Sequence, residues 1–216
     1  MTLRSFGWLM ALVVGLGTLT GCQSVYYEAW EAFGKEKRDL LRDELVGMVD
    51  DQGEAQESFT TALEQVKALT GFDGGDLEVM YESLKDSFED AEDASDGIDD
   101  RIADIERVAE DLFREWESEL AEMRTASLRE SSRTKLRETR RRFERMDRTM
   151  RNSREKMVGV LSVFRDHVLY LKHNLNAAAI GAIGNAMGAV ESDIEDLQRT
   201  IENSIREAQS FIEAMP

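Results

Sequence analysis

The feature that most constrains this chain is a nearly continuous series of apolar residues spaced alternately three and four apart, with no proline before Pro216. That spacing keeps one stripe of a helix facing a neighbour, which is the seam of helices packed in coiled-coil fashion. The clearest run is Leu84, Phe88, Ala91, Ser95, Ile98, Ile102, Ile105, Ala109, Leu112 and Trp116, and only Ser95 departs from it. An earlier series opens at Tyr26, Trp30 and Phe33, shifts register near Leu40 and Leu41, and continues through Leu45, Met48, Gln52, Ala55, Phe59, Ala62, Val66 and Leu69. A third runs from Leu136 through Phe143, Met150, Met157 and Phe164 to Leu175, and a fourth from Ile183 through Val190, Leu197 and Ile205 to Phe211.

The breaks between these series carry turn and cap chemistry. Gly71-Phe72-Asp73-Gly74-Gly75-Asp76 offers glycines for a positive φ after a helix end and an aspartate to cap the next helix. Ser127-Leu128-Arg129-Glu130 fits a capping box, and Asn174-Leu175-Asn176 is a turn or kink. The expected fold is therefore all-α: an elongated antiparallel helical bundle of four helices, over about 25–70, 76–125, 128–174 and 177–214, with no strands. At about 1.5 Å per residue these are rods of roughly 57 to 75 Å.

Residues 1–21 read differently. Arg4 supplies a positive start, Phe6 to Leu19 is an uncharged apolar run, and Leu19-Thr20-Gly21-Cys22 follows. The tetrad is similar to the lipobox of bacterial lipoproteins, in which the cysteine thiol takes a diacylglycerol. This predicts a signal peptide at 1–21, a lipidated N-terminus at 22–24 bearing palmitate-like acyl chains on Cys22, and one helical domain at 25–216. A membrane-spanning helix needs about 20 apolar residues, and this run is shorter. By the sorting rule of Gram-negative bacteria, Gln23, standing where Asp would retain the protein in the inner membrane, directs it to the outer membrane, facing the periplasm. Several buried acyl chains, at about 0.8 kcal/mol per methylene, would make the attachment effectively permanent. Cys22 is the only cysteine, so no disulfide can staple the fold.

Charge is unevenly spread within the net −17. Asp39 to Glu122 carries 28 acidic and 6 basic residues, whereas Met123 to Lys156 carries 13 basic and 5 acidic ones. A strongly acidic molecule with a predicted export signal is no nucleic-acid binder, despite the block from Arg137 to Arg154. In an antiparallel hairpin that block lies beside the acidic stretch, which predicts internal pairing. The other use of Arg137, Arg140, Arg141, Arg145 and Arg148 is an interaction surface for an external anion or an envelope protein.

Enzymatic and metal chemistry find little purchase. Setting Gly97 at the invariant glycine of a calcium loop puts Ala94 and Ala103 at ligand positions, so the acidic run from Glu89 to Asp100 reads as a solvated helix face. His167 and His173 are six apart, on different helix faces, and Tyr170 and Lys172 complete no nucleophile-base set. The expectation is no catalysis, no metal and no cofactor. The uncharged stretch Ala177 to Val190, with Gly181, Gly184 and Gly188 at helical spacing, is either tight packing at one bundle end or an exposed patch for docking or self-association.

Four segments together carry a resemblance: Tyr26-Tyr27, Phe72-Asp73-Gly74-Gly75-Asp76-Leu77, Ala126-Ser127-Leu128-Arg129, and Leu171-Lys172-His173-Asn174-Leu175-Asn176-Ala177. With these the chain resembles domain-of-unknown-function family 2959, proteobacterial lipoproteins or secreted proteins, over nearly all its predicted mature length. The resemblance implies an envelope location and transfers no activity and no catalytic residue. Two functions remain open: a tethered structural or interaction rod, and a binding protein or sensor for an amphipathic or anionic ligand.

Overall fold

A computed structural model describes residues 36–71 and 76–215. They form α1 (Lys37–Thr70), α2 (Leu77–Glu122), α3 (Ala126–His173) and α4 (Ala177–Ala214), with no strand among the described residues. Each helix packs on the next in sequence, and α4 closes the ring on α1. The expected all-α bundle is what the chain adopts. The opening of the first expected helix, with Tyr26, Trp30 and Phe33, lies outside the described residues, as do residues 72–75.

Two of the three connections use the expected caps. Asp76 Oδ1 accepts the Glu78 amide at 3.0 Å, and Asn176 Oδ1 accepts the amides of Ala178 and Ala179, both at 3.1 Å. The break after His173 is thus a full turn between two helices. The third connection differs, because α3 begins at Ala126 and its N-cap is Thr125, whose side chain makes no capping bond. Ser127 is already helical, so no capping box forms. Only three residues join α2 to α3, and the Arg129 guanidinium bonds the Met123 carbonyl at 2.9 Å instead.

The core follows the seams. Leu45, Met48, Phe59 and Val66 of α1, Leu84, Ile98 and Ile105 of α2, Met146, Met150, Met157 and Phe164 of α3, and Ile194, Leu197 and Ile201 of α4 are all buried. Past Ile105, however, α2 buries Val108, Ala109, Phe113 and Leu120, while Leu112 and Trp116 are only half-buried. A straight helix drifts about 20° per heptad against a strict seven-residue repeat. Trp116 therefore sits at the flank, where its Nε1 donates to Ser132 Oγ of α3 at 2.8 Å.

Cross-helix contacts give the register. Lys37 Nζ pairs with Glu115 at 2.9 Å, so α1 begins level with the last turns of α2. Phe113, Phe143 and Phe211 bring α2, α3 and the end of α4 together edge to face, with centroids 5.7 and 5.9 Å apart. Beyond this aromatic junction the α2–α3 hairpin runs on past the first turn of α1 and the last turn of α4. Its tip is residues 117–138.

Candidate interaction surfaces

The arginines of α3 divide by helix face. Those on the flank toward α2 are paired: Arg140 with Glu117 at 2.8 Å, Arg154 with Asp99 at 2.6 Å, Arg151 with Glu106, and Arg165 with Glu92. The contacts step in opposite directions along the two helices, as an antiparallel register requires. Arg140 also lies over the Phe113 ring, 5.1 Å from its centroid.

Arg137, Arg141, Arg145 and Arg148 point elsewhere. Spaced four, four and three apart, they share the outward face of α3, and all four are exposed. Arg137 donates to Thr134 Oγ1 at 3.0 Å, and its one carboxylate among the described residues is Glu130 of its own helix, at 3.7 Å. Arg141 and Arg145 bond the carbonyls of Arg137 and Arg141 at 3.3 Å. Among the described residues no carboxylate lies within ion-pair distance of Arg141, Arg142, Arg145 or Arg148. Internal pairing therefore accounts for Arg140, Arg151 and Arg154, and leaves an open cationic ridge about three turns long.

Next to the ridge, at the hairpin tip, is a groove of about 580 Å³ lined by Glu117, Leu120, Ala121, Arg129, Arg133, Leu136, Arg137 and Arg140. Leu120 and Leu136 form a buried apolar floor. The four arginines form the wall, against the single carboxylate of Glu117. Such a lining matches a ligand with a negative head and an apolar portion, because guanidinium forks bind phosphate or carboxylate bidentately. The sequence reading put Leu136 on the third seam and Arg129 in a capping box, but assigned neither of them, nor Arg133 or Leu120, to a site. The signal was present in the spacing of Arg129, Arg133, Arg137 and Arg140, which keeps them on one helix face. Leu128, in the first turn of α3, is 63% exposed at the same tip.

Gly181, Gly184 and Gly188 lie at the opposite end of the bundle, and all three are exposed. A Cβ at Gly181 or Gly188 would meet nothing within 4 Å, and one at Gly184 would only touch the Thr70 side chain at 3.8 Å. No close approach between the described helices needs these glycines. The uncharged stretch instead leaves a smooth outer face on the first turns of α4, while Ile180, Ile183 and Val190 point inward.

His167 is half-buried, its Nδ1 has no partner, and burial pushes its pKa below the usual histidine range. His173 is exposed. The run from Glu89 to Asp100 is continuous helix with Ala91, Ser95 and Ile98 buried along it. Among the described residues no three metal-ligating side chains are grouped to hold an ion. Leu19, Thr20, Gly21, Cys22 and Gln23 lie outside the described residues. No described helix is long and apolar enough to cross a membrane.

Residues 26–215 match a family defined as proteins of unknown function, DUF2959. The chain belongs to the DUF2959 family. Comparison with curated proteins and with solved structures gives no match. The DUF2959 match runs through all four helices, so the hairpin tip, the arginine ridge and the α4 face are all parts of the family domain.

Proposed function

We propose that this DUF2959 member is a non-catalytic interaction protein of the bacterial envelope, anchored through acylated Cys22 in the outer membrane and facing the periplasm. The observation that carries the interaction role is the row Arg137, Arg141, Arg145 and Arg148: four exposed cations on a rigid helix, with no carboxylate from another helix against them. A structural bundle gains nothing from such a row, since clustered like charges repel. An external anion or an acidic protein surface relieves that repulsion. The core is filled by side chains along every seam, which supports a rod that presents surfaces rather than a shell around a reaction cleft.

Anchoring is tested by processing. Cys22→Ala, or inhibition of lipoprotein signal peptidase, should leave a heavier precursor and abolish labelling by an alkyne fatty acid. Normal labelling of the variant would defeat the anchor. Gln23→Asp should move the protein from the outer-membrane to the inner-membrane fraction of a sucrose gradient. The interaction role is tested by crosslinking in cells followed by purification, which should recover defined partners that are lost when Arg141, Arg145 and Arg148 are changed to Glu. A second reading, uptake of an anionic amphipath, is favoured by the groove over Leu120 and Leu136. Lipid co-purifying with wild type, and absent after Leu136→Glu, would support it.

A further inference from the structure

We propose that the hairpin end of the bundle seats on an anionic phospholipid surface, its arginines taking lipid phosphates and Leu128 entering the interface. This deepens the anchored reading above and rests on it for the source of the membrane.

Three features converge on the hairpin end. The first is charge: Arg124 to Arg148 holds ten basic residues and four acidic ones. The outward arginines among them lack carboxylate partners on other helices. An anionic lipid surface attracts each nearby cation enough to shift partition about fivefold. Guanidinium, planar and weakly hydrated, suits phosphate oxygens better than ammonium does. The second is apolar: Leu128 projects from the tip between Arg124 and Arg129 in sequence, 63% exposed, in a helix whose N-terminal amides have no side-chain cap. An exposed leucine flanked by arginines is the composition of an interfacial contact, where the apolar group enters the acyl boundary and the cations stay among the headgroups.

The third is reach. The ion pair Lys37–Glu115 places the start of α1 at the hairpin end. Lys37 lies fifteen residue steps after Cys22, a tether that spans at most about 54 Å fully extended. α1 itself measures about 51 Å. A membrane holding Cys22 meets the hairpin end freely, whereas the far end could reach it only with the tether drawn straight along the whole bundle. Charge favours the same orientation, since Leu77 to Asp100 at the far end has ten acidic residues and one basic. Glu117, Glu119 and Glu122 line the α2 side of the tip, so the face turned to lipid is that of α3. The edge-to-face cluster of Phe113, Phe143 and Phe211 holds the tip to the bundle, so contact there orients the whole rod.

The test uses the full chain as isolated from its membrane, mixed with vesicles of phosphatidylcholine alone or with a third phosphatidylglycerol, and followed by sedimentation and amide exchange. Exchange over residues 117–140 should slow severalfold with phosphatidylglycerol relative to phosphatidylcholine, while residues 177–192 stay unchanged. Arg137→Glu, Arg141→Glu and Arg145→Glu together should abolish that slowing, as should half-molar salt, with helicity retained. Equal exchange on both vesicles overturns the proposal, as does slowing at residues 177–192. Equal slowing by inorganic phosphate alone also overturns it, assigning the tip to a free anion. The anchor fails separately: an unacylated chain would sediment with phosphatidylglycerol vesicles only, supporting the surface contact without the anchor. Sedimentation with neither vesicle defeats both.

Discussion

Gly47 and Arg101 are matched in shape across the α1–α2 seam: a Cβ on Gly47 would lie 3.0 Å from Arg101 Cζ. The bare glycine lets the guanidinium lie against α1, where it bonds Glu44 at 2.8 Å and Asp51 at 2.9 Å. Those bonds, to Glu44 first and then Asp51, hold Arg101 even more firmly protonated than usual. A mid-helix glycine otherwise costs about 1 kcal/mol against alanine. Gly47→Ala should therefore raise the melting temperature by about 2–4 °C where Arg101 is already alanine. With Arg101 present the gain should shrink or vanish. Thermal unfolding of the four proteins of this cycle measures the coupling, and equal gains in both backgrounds would show that the two residues are independent.

The core contains a polar contact whose parts should behave non-additively. Gln52 and Ser204 are both fully buried, and Gln52 Nε2 donates to Ser204 Oγ at 2.9 Å. Gln52 Oε1 has no partner. Ser204→Ala should lower stability by about 1–3 kcal/mol, because it strands the remaining amide. Adding Gln52→Leu should restore most or all of that loss. Chemical denaturation of the single and double variants checks the sign, and a double variant weaker than Ser204→Ala would refute the account.

The two classes of arginine should separate in a charge-reversal experiment. Changing Arg140, Arg151 and Arg154 to Glu sets like charges against Glu117, Glu106 and Asp99 and should lower the melting temperature at low salt. Changing Arg141, Arg145 and Arg148 to Glu should leave it nearly unchanged. Salt should narrow the difference. Equal losses in the two triple variants would mean that the outward ridge is also a structural element.

The contrast shows what the sequence could carry. Heptad spacing marked which residues face a core, and Asp76 and Asn176 marked two turns, because both signals are local. The α2 seam was legible until its periodicity slipped at Val108, and the division of the arginines was not legible at all. Both depend on the rotation of a helix about its axis, which drifts over many turns and is settled by partners such as Ser132 and Phe143. The groove was hidden for the same reason, since Leu120 and Leu136 come from two helices and meet only when the register is known.

Stability should decline as pH falls, through His167. Burial lowers its folded-state pKa from the ordinary 6.5, with the neighbouring Asp166 opposing more weakly. The unfolded chain therefore takes up the proton first. Full stability holds above 6.5, and the contribution is lost as pH drops through the folded value. His167→Gln should flatten the fall in melting temperature between about pH 7 and 5. An unchanged slope in the variant would place the effect on other groups.

Among the principal helix contacts, only the meeting of α1 with α4 joins segments remote in the chain. It is also studded with polar bonds: Gln52 to Ser204 at 2.9 Å, Thr60 to Gln198 at 3.1 Å, and Lys67 to Glu191 at 2.8 Å. The other interfaces close across connections of a few residues, so each can form as soon as its two helices exist, at little entropic expense. The bundle thus has a built-in order of assembly: three local hairpin closures, each fast, and a ring closure that waits for the C-terminal helix to leave the ribosome. Read in reverse, that seam is where the cylinder would first unzip.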